Sequence, residues 1–159
     1  MAADPRFIDR IEPDDVRPMR ARPIESGLAR QDRPYAELIE RASSLHGVDP
    51  SLVYALIEVE SGYRADAESP RGAMGLMQLM PDTAREVARR HKIEISSLDE
   101  LYDPYFNTLL GTKYLGRLAS NFDDDVVHTA GGYNAGPKNM KRWLKLWNQV
   151  SPDEFIENI

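Results

Sequence analysis

The sequence predicts an all-α domain with minimal strand content, and three observations predict it. From Pro34 onward apolar residues recur at helical rather than alternating spacing. Helix-start signals repeat, with Asp-Pro at 49–50 and 103–104 and Ser-Pro at 151–152. Aspartate or serine can cap free N–H groups, and proline fits a first helical position, where its missing N–H would have no partner. Only residues 63–79 break the helical period. They hold two glycines and a proline, and read as a long irregular segment with at most a short strand pair. Such segments inside compact domains tend to be functional.

The elements follow in order. Met1–Arg33 carries Pro5, Pro13, Pro18 and Pro23 and few apolar residues, so it is expected to be a flexible or extended linker. Its seven Arg and seven acidic residues cancel, and the net charge of −6 falls on residues 34–159, with 13 basic against 19 acidic. Pro34–Gly47 shows Leu38, Ala42 and Leu45 on one face. Ser51–Gly62 is the next helix, with Gly62 as its stop. At about 100° per residue, Ser51, Tyr54, Glu58 and Ser61 fall on a polar stripe, while Val53, Leu56 and Ile57 lie opposite. Glu60 lands in the middle of the apolar face, where a carboxylate is costly when ionised and its pKa is expected to rise. A Glu kept protonated near neutral pH is what a general acid requires.

Pro81–Lys92 is expected to be helical with Ala84, Val87 and Ala88 inward. A long helix from Asp103-Pro104 to about Asn121 buries Phe106, Leu109, Leu110, Tyr114 and Leu118. Asp123–Asp125 suit a helix N-terminus leading to Tyr133. Asn134–Pro137 is a break, Pro137–Trp147 a further helix with Met140, Trp143, Leu144 and Trp147 on one face, and residues 153–158 a last short one.

Composition bounds the function. At 159 residues, 42% hydrophobic and 29% charged, the chain can build a real core. It has no cysteine, hence no disulfide framework and no thiolate metal site. No apolar run approaches a membrane span, and residues 1–10 show no signal-peptide core. The acidic balance argues against a nucleic-acid partner. His46, His91 and His128 share no ligand spacing, and Asp123–Asp125 lack the other positions of a calcium loop. No metal and no cofactor are expected.

Four pieces stand in order: ESGYRADAESPRGAMGLMQLMPDTA (Glu60–Ala84), DPYFNTLLGTKYLGRL (Asp103–Leu118), GGYNAGP (Gly131–Pro137) and FIENI (Phe155–Ile159). Together they resemble the catalytic domain of the soluble lytic transglycosylases, on the lysozyme-like fold related to goose-type lysozyme. The resemblance covers about Pro34–Ile159. It implies cleavage of the β-1,4 bond between N-acetylmuramic acid and N-acetylglucosamine in peptidoglycan, with a 1,6-anhydro product and Glu60 as the single catalytic acid. It further implies substrate contacts from Ser61, Gly75, Met77, Gln78, Tyr133, Asn134 and Glu157. Ser61 would orient substrate by its hydroxyl, Met77 would offer an apolar surface to a sugar face, and Gln78 would bond sugar hydroxyl or acetamido groups. Tyr133 would help set the pKa of Glu60, and Asn134 would fix its loop or the sugar. Met74 and Met80 are expected in the core, and Asn107 and Gly111 are expected to be structural. Asp66 and Glu68 stay open as second acids.

Three features depart from the family pattern. Gly131-Gly132 stands where two alanines are common, which predicts a looser wall beside Tyr133. Lys138 replaces a common glycine. FIENI starts a segment that in the family usually runs on. The resemblance implies peptidoglycan glycan strands as partner, a periplasmic or cell-envelope location, and an envelope or secretion-machinery partner for what is expected to be a monomer. Two other readings use the same residues: a hydrolytic muramidase, and a non-catalytic glycan-binding or scaffolding module.

Overall fold

The structure is a computed structural model that describes residues 33–146. Apart from Arg33, the expected N-terminal linker lies outside the described residues. So do Trp147, the expected last helix and Glu157. The described chain is helical: α1 (Ala36–His46), α2 (Pro50–Ser61), α3 (Pro81–Arg90), a 3₁₀ turn (Leu98–Tyr102), α4 (Pro104–Asn121), α5 (Val126–Ala135) and α6 (Pro137–Leu146). Strand structure among these residues is confined to two isolated bridges, Glu68–Met74 and Met74–Leu79. The chain divides within α4 into two compact units, the first ending at Gly116 and the second beginning at Arg117.

In the first unit, α1 packs on α2. The α2 boundaries follow from local chemistry. The Asp49 carboxylate accepts from the Ser51 N–H at 2.7 Å, Pro50 occupies the first turn, and Gly62 closes the helix at φ 56° with its N–H on the Glu58 carbonyl. On α1 the buried face is Ile39, Ala42 and Ser43. The expected stripe was one residue off, since only Ala42 of Leu38, Ala42 and Leu45 is buried. The Arg33 guanidinium lies 4.7 Å from the centre of the Tyr54 ring, which fixes the start of the described chain against α2.

The expected polar stripe of α2 is corrected. Ser51, Tyr54 and Ser61 are buried with Val53 and Ile57, and Leu56 is only half-buried. Of the stripe only Glu58 is exposed. The helix is enclosed over most of its circumference, so its polar residues find partners inside rather than a face toward water. The Tyr54 hydroxyl donates to the Ala36 carbonyl at 3.4 Å. The open side belongs to Glu58 and to Val59, which is 84% exposed.

His46 ends α1 in a buried setting. The Thr112 hydroxyl donates to the Thr108 carbonyl at 2.8 Å. It therefore accepts from Nδ1–H of His46, also at 2.8 Å, which fixes the neutral imidazole with its proton on Nδ1. Nε2 is buried without a hydrogen-bond partner. Burial first, then the positive Lys113 and His91, hold the His46 pKa down to about 3 from 6.5. The unfolded chain therefore binds this proton first as pH falls, and stability contributed by the neutral ring is lost from pH 6.5 downward. The slope from this group approaches about 1.4 kcal/mol per pH unit. Urea unfolding at pH 7 and pH 5 is expected to show a loss of roughly 2 kcal/mol that His46→Gln removes. An equal loss in both proteins would assign the acid sensitivity to other groups.

Helix α3 is as expected, with Ala84, Val87 and Ala88 buried. Of the two methionines assigned to the core, Met74 is there, but Met80 caps the start of α3 and is 42% exposed. The 3₁₀ turn between α3 and α4 carries a capping box of Ser97 and Glu100. The α4 stripe of Phe106, Leu109, Leu110, Tyr114 and Leu118 is buried throughout.

In the second unit α5 packs on α6. Asp125 caps α5 through the His128 N–H at 2.8 Å, while Asp123 and Asp124 adopt left-handed φ of 53° and 61° before it. Met140 of α6 is fully buried. The looser wall expected from Gly131-Gly132 is not what these glycines produce. A Cβ on Gly131 would lie 2.9 Å from the Met140 sulfur, and one on Gly132 only 2.6 Å from Phe122. The two glycines let Met140 and Phe122 fill the space that a pair of alanines would take.

Candidate active site

Glu60 sits in the last turn of α2. It is half-buried at the margin of the enclosed arc, rather than centred in an apolar face. Burial pushes its carboxyl above the ordinary range of a glutamate. Glu58, two residues earlier, is exposed. One helix thus holds two chemically identical side chains in different environments, and burial favours the protonated form of Glu60.

The turn after Glu60 is firmly fixed. Ser61 Oγ donates to the Ile57 carbonyl at 3.1 Å, and the residue is buried. The expectation that this hydroxyl meets substrate is corrected: inside an enclosed helix it is consumed by the preceding turn. The Ser61 carbonyl accepts from both the backbone N–H and Nε of Arg64, each at 3.2 Å. The Tyr63 hydroxyl donates to the Tyr54 carbonyl at 3.3 Å. Ser61 therefore supports the helix end that carries Glu60.

Gly75, Met77 and Gln78 come together in a tight turn in which Met74 and Leu79 exchange two backbone hydrogen bonds at 3.0 Å. Gly75 has φ 78°, and a Cβ there would fall 2.2 Å from the Leu101 carbonyl oxygen and 2.3 Å from Asn107 Nδ2. Only glycine fits this conformation and this approach. The approach, however, is made by protein and not by sugar. Met77 is fully buried, with its sulfur where a Cβ on Gly111 would stand. Its expected role as an apolar surface for a sugar is corrected to a core side chain, because the small Gly111 leaves a hollow in α4 that the thioether fills.

Gln78 is half-buried with left-handed φ 46°. Its Nε2 donates to the carbonyls of Ala67 and Gly75, each at 3.0 Å. Both amide hydrogens are spent bracing the segment, which leaves only Oε1 to face a ligand. This revises the expectation of a freely available amide. Gln78→Ala is expected to lower stability by roughly 1–3 kcal/mol as well as turnover; an unchanged melting temperature would return Gln78 to a purely substrate-facing role.

Asn107 pins this turn from α4. It is fully buried. Oδ1 accepts from the Met77 N–H at 2.8 Å, and Nδ2 donates to the carbonyls of Met74 and Leu101, both at 2.8 Å. Sequence reading identified Asn107 as structural but not what it holds. The partners lie 30 or more residues upstream in two cases, beyond any local pattern.

Of the two acids left open, Asp66 is exposed. Glu68 is exposed and accepts from the Tyr102 hydroxyl at 2.9 Å. Tyr133 and Asn134 belong to the second unit, in the last turn of α5, where Tyr133 is half-buried and Asn134 exposed. Gly136 follows at φ 85°. Among the described residues no group of three or more His, Cys, Asp or Glu could hold a metal ion. No described helix is long and apolar enough to cross a membrane.

A helical chain of this kind, with an irregular segment braced between helices and one half-buried glutamate at a helix end, is of the lysozyme-like class. The Transglycosylase SLT domain matches residues 37–156, and the chain belongs to that family. It is 33% identical over 127 residues to a soluble lytic murein transglycosylase of Escherichia coli K12, covering 79% of this chain and 20% of that protein. It is 36% identical over 137 residues to an endo-type membrane-bound lytic murein transglycosylase A of Klebsiella pneumoniae, covering 76% of this chain and 68% of that protein. Among solved structures it is similar to the lytic transglycosylase Slt of Pseudomonas aeruginosa, determined as an inactive Glu-to-Gln mutant. The TM-score is 0.72 and the identity 36%, over 78% of this chain and 20% of that one. The chain thus spans about a fifth of the length of the Escherichia coli and Pseudomonas relatives.

Proposed function

We propose that this chain is a peptidoglycan lytic transglycosylase in which Glu60 supplies both proton transfers. The observation that carries the reading is the environment of Glu60, half-buried and held above its ordinary pKa by burial while Glu58 lies in water. Glu60 in its acid form donates a proton to the glycosidic oxygen between N-acetylmuramic acid and N-acetylglucosamine as the C1–O bond breaks. The resulting carboxylate then takes the proton of the muramoyl C6 hydroxyl, whose oxygen bonds to C1. The ring closes as a 1,6-anhydro sugar, Glu60 ends protonated, and no water is consumed. One group suffices because each step leaves it in the form that the next step needs, unlike the two-carboxylate arrangement of most glycosidases. The Glu-to-Gln inactivity of the Pseudomonas relative supports an essential glutamate in this family.

In this reading the catalytic domain runs from 34 to 159 behind a linker at 1–33. Oε1 of Gln78 contacts substrate in this reading, and the family resemblance makes Tyr133, Asn134 and Glu157 further candidates for substrate contact. Ser61 supports the helix end that carries Glu60, and Gly75 and Met77 support the turn that carries Gln78. A murein substrate places the protein at the cell envelope, acting as a monomer, with an envelope or secretion assembly as its further partner. Mass spectrometry of digested sacculi tests the reaction: the muramoyl ends are expected as the anhydro form, one water lighter than the reducing sugar. Reducing ends alone would make the chain a hydrolytic muramidase, and intact sacculi a binding module.

A further inference from the structure

A groove of about 510 Å³ lies in the first unit between α3 and the chain that leaves it, and the reaction proposed above does not use it. Its size is that of a ligand site. Ala88, Ile93, Ile95 and Leu98 line it with apolar surface, and Arg85 and Arg89 stand beside them. The two arginines are one helical turn apart on α3 and so share a face.

The lining is held in place. The Ile93 N–H bonds the Ala88 carbonyl at 2.9 Å. One oxygen of Glu100 accepts from the N–H groups of Ser96 and Ser97 at 2.8 and 2.9 Å. This ties the far wall down and spends that carboxylate oxygen on the backbone.

The guanidiniums remain available. Among the described residues Arg89 has no ion-pair partner, whereas its neighbour Arg90 is taken by Glu86 at 2.9 Å. Arg85 meets Asp82 at 3.3 Å, but the two side chains are 57% and 98% exposed, and such surface pairs are worth little. A planar guanidinium prefers a carboxylate, which it can grip with two parallel hydrogen bonds. The apolar floor selects the rest of the ligand. Two isoleucines and a leucine are matched by a large apolar side chain, not by the methyl groups of small amino acids.

We propose that this groove docks an acidic polypeptide segment of a partner protein, seating one large apolar side chain on Ile93, Ile95 and Leu98 and a neighbouring carboxylate on Arg89, with Arg85 as a second contact. The site is separate from Glu60 and does not depend on the lytic reading.

The test is fluorescence anisotropy on the full chain with two labelled peptides. One alternates Asp with Phe and Leu; the other carries Lys in place of each Asp. The acidic peptide is expected to saturate, to weaken about tenfold or more with Arg89→Glu and with Ile95→Asp, and to weaken as salt rises. Arg89→Lys is expected to recover only part of the loss, because the charge returns without the fork. Glu60→Gln is expected to bind as the wild type does, so a failed lytic reading leaves this result untouched. Melting curves of each variant separate lost binding from lost folding. No saturable binding, equal binding of the Lys peptide, or indifference of folded Arg89→Glu overturns the proposal. Displacement of the probe by soluble muropeptides also overturns it, since the groove would then take the peptide of the glycan itself.

Discussion

Glu60→Gln is expected to abolish release of 1,6-anhydro sugars from sacculi while leaving the protein folded and equally or slightly more stable. The amide keeps the shape of the side chain but has no transferable proton and cannot become a base. Because one group performs both transfers, its loss removes both steps, and turnover is expected to fall by about 10³-fold or more. The stability effect has a definite sign. Burial raises the pKa of Glu60 in the folded state, so the folded chain holds this proton more tightly than the unfolded chain. Stability from this group is present below the unfolded pKa and is lost as pH rises through the folded one. Wherever Glu60 is ionised in the folded chain, its burial is therefore a cost that a neutral amide does not carry. The same direction predicts that wild-type activity declines on the alkaline side, where Glu60 begins the cycle without its proton. Glu58→Gln is the internal control: it is exposed and is expected to change stability by no more than about 0.5 kcal/mol and activity not at all. Sacculus clearing, product mass and thermal melting of the two variants read all of this. A dead Glu58→Gln beside an active Glu60→Gln would refute the assignment.

Asn107→Ala is expected to give the largest loss of stability of any single change named here. The buried Met77 N–H would lose its Asn107 acceptor, costing about 1–3 kcal/mol. The carbonyls of Met74 and Leu101 would each lose a donor at about 1 kcal/mol more. Met74 keeps the Leu79 N–H, so its carbonyl is not orphaned. The vacated volume adds a packing cost, and the sum is roughly 3–5 kcal/mol, a large share of the total for a domain of this size. A fall in melting temperature of more than about 10 °C by circular dichroism is the expected reading. Asn107→Asp separates hydrogen bonding from volume. It keeps the acceptor for Met77 but turns an acceptor toward two carbonyls, so it is expected to be as damaging at pH 7 and to recover in part when acid protonates it. A shift of only a few degrees for both variants would mean that the turn at residues 74–79 holds without the pin.

Several features of this chain are decided within a few residues of where they occur, and the sequence alone was enough to read them. The caps of α2 are one case, since Asp49, Pro50 and Gly62 act on backbone groups within a turn. The start and buried stripe of α4, the inward face of α3 and the irregular run at 63–79 are others, because helical period and glycine content are local properties. The motif order was likewise written in the chain, and it led to the family that the comparison with known proteins shows.

What the tertiary structure decided is the use to which each side chain is put. Ser61 on a helical wheel looks like a surface hydroxyl, but α2 is enclosed on most sides, and the serine turns back to Ile57. Met77 could have lain against a sugar, yet Gly111 on α4 opens a hollow that receives it. Gln78 could have offered two donors to substrate, but Ala67 and Gly75 place their carbonyls within its reach. The two glycines before Tyr133 read as weakness until Met140 and Phe122 fill them. Local pattern cannot say which distant atoms arrive beside a side chain, and arrival sets whether a polar group is solvated, paired or strained. Glu60 shows both sides of this. Its place in the last turn of α2 is a matter of spacing, whereas the burial that raises its pKa exists only once the surrounding chain has closed over part of it.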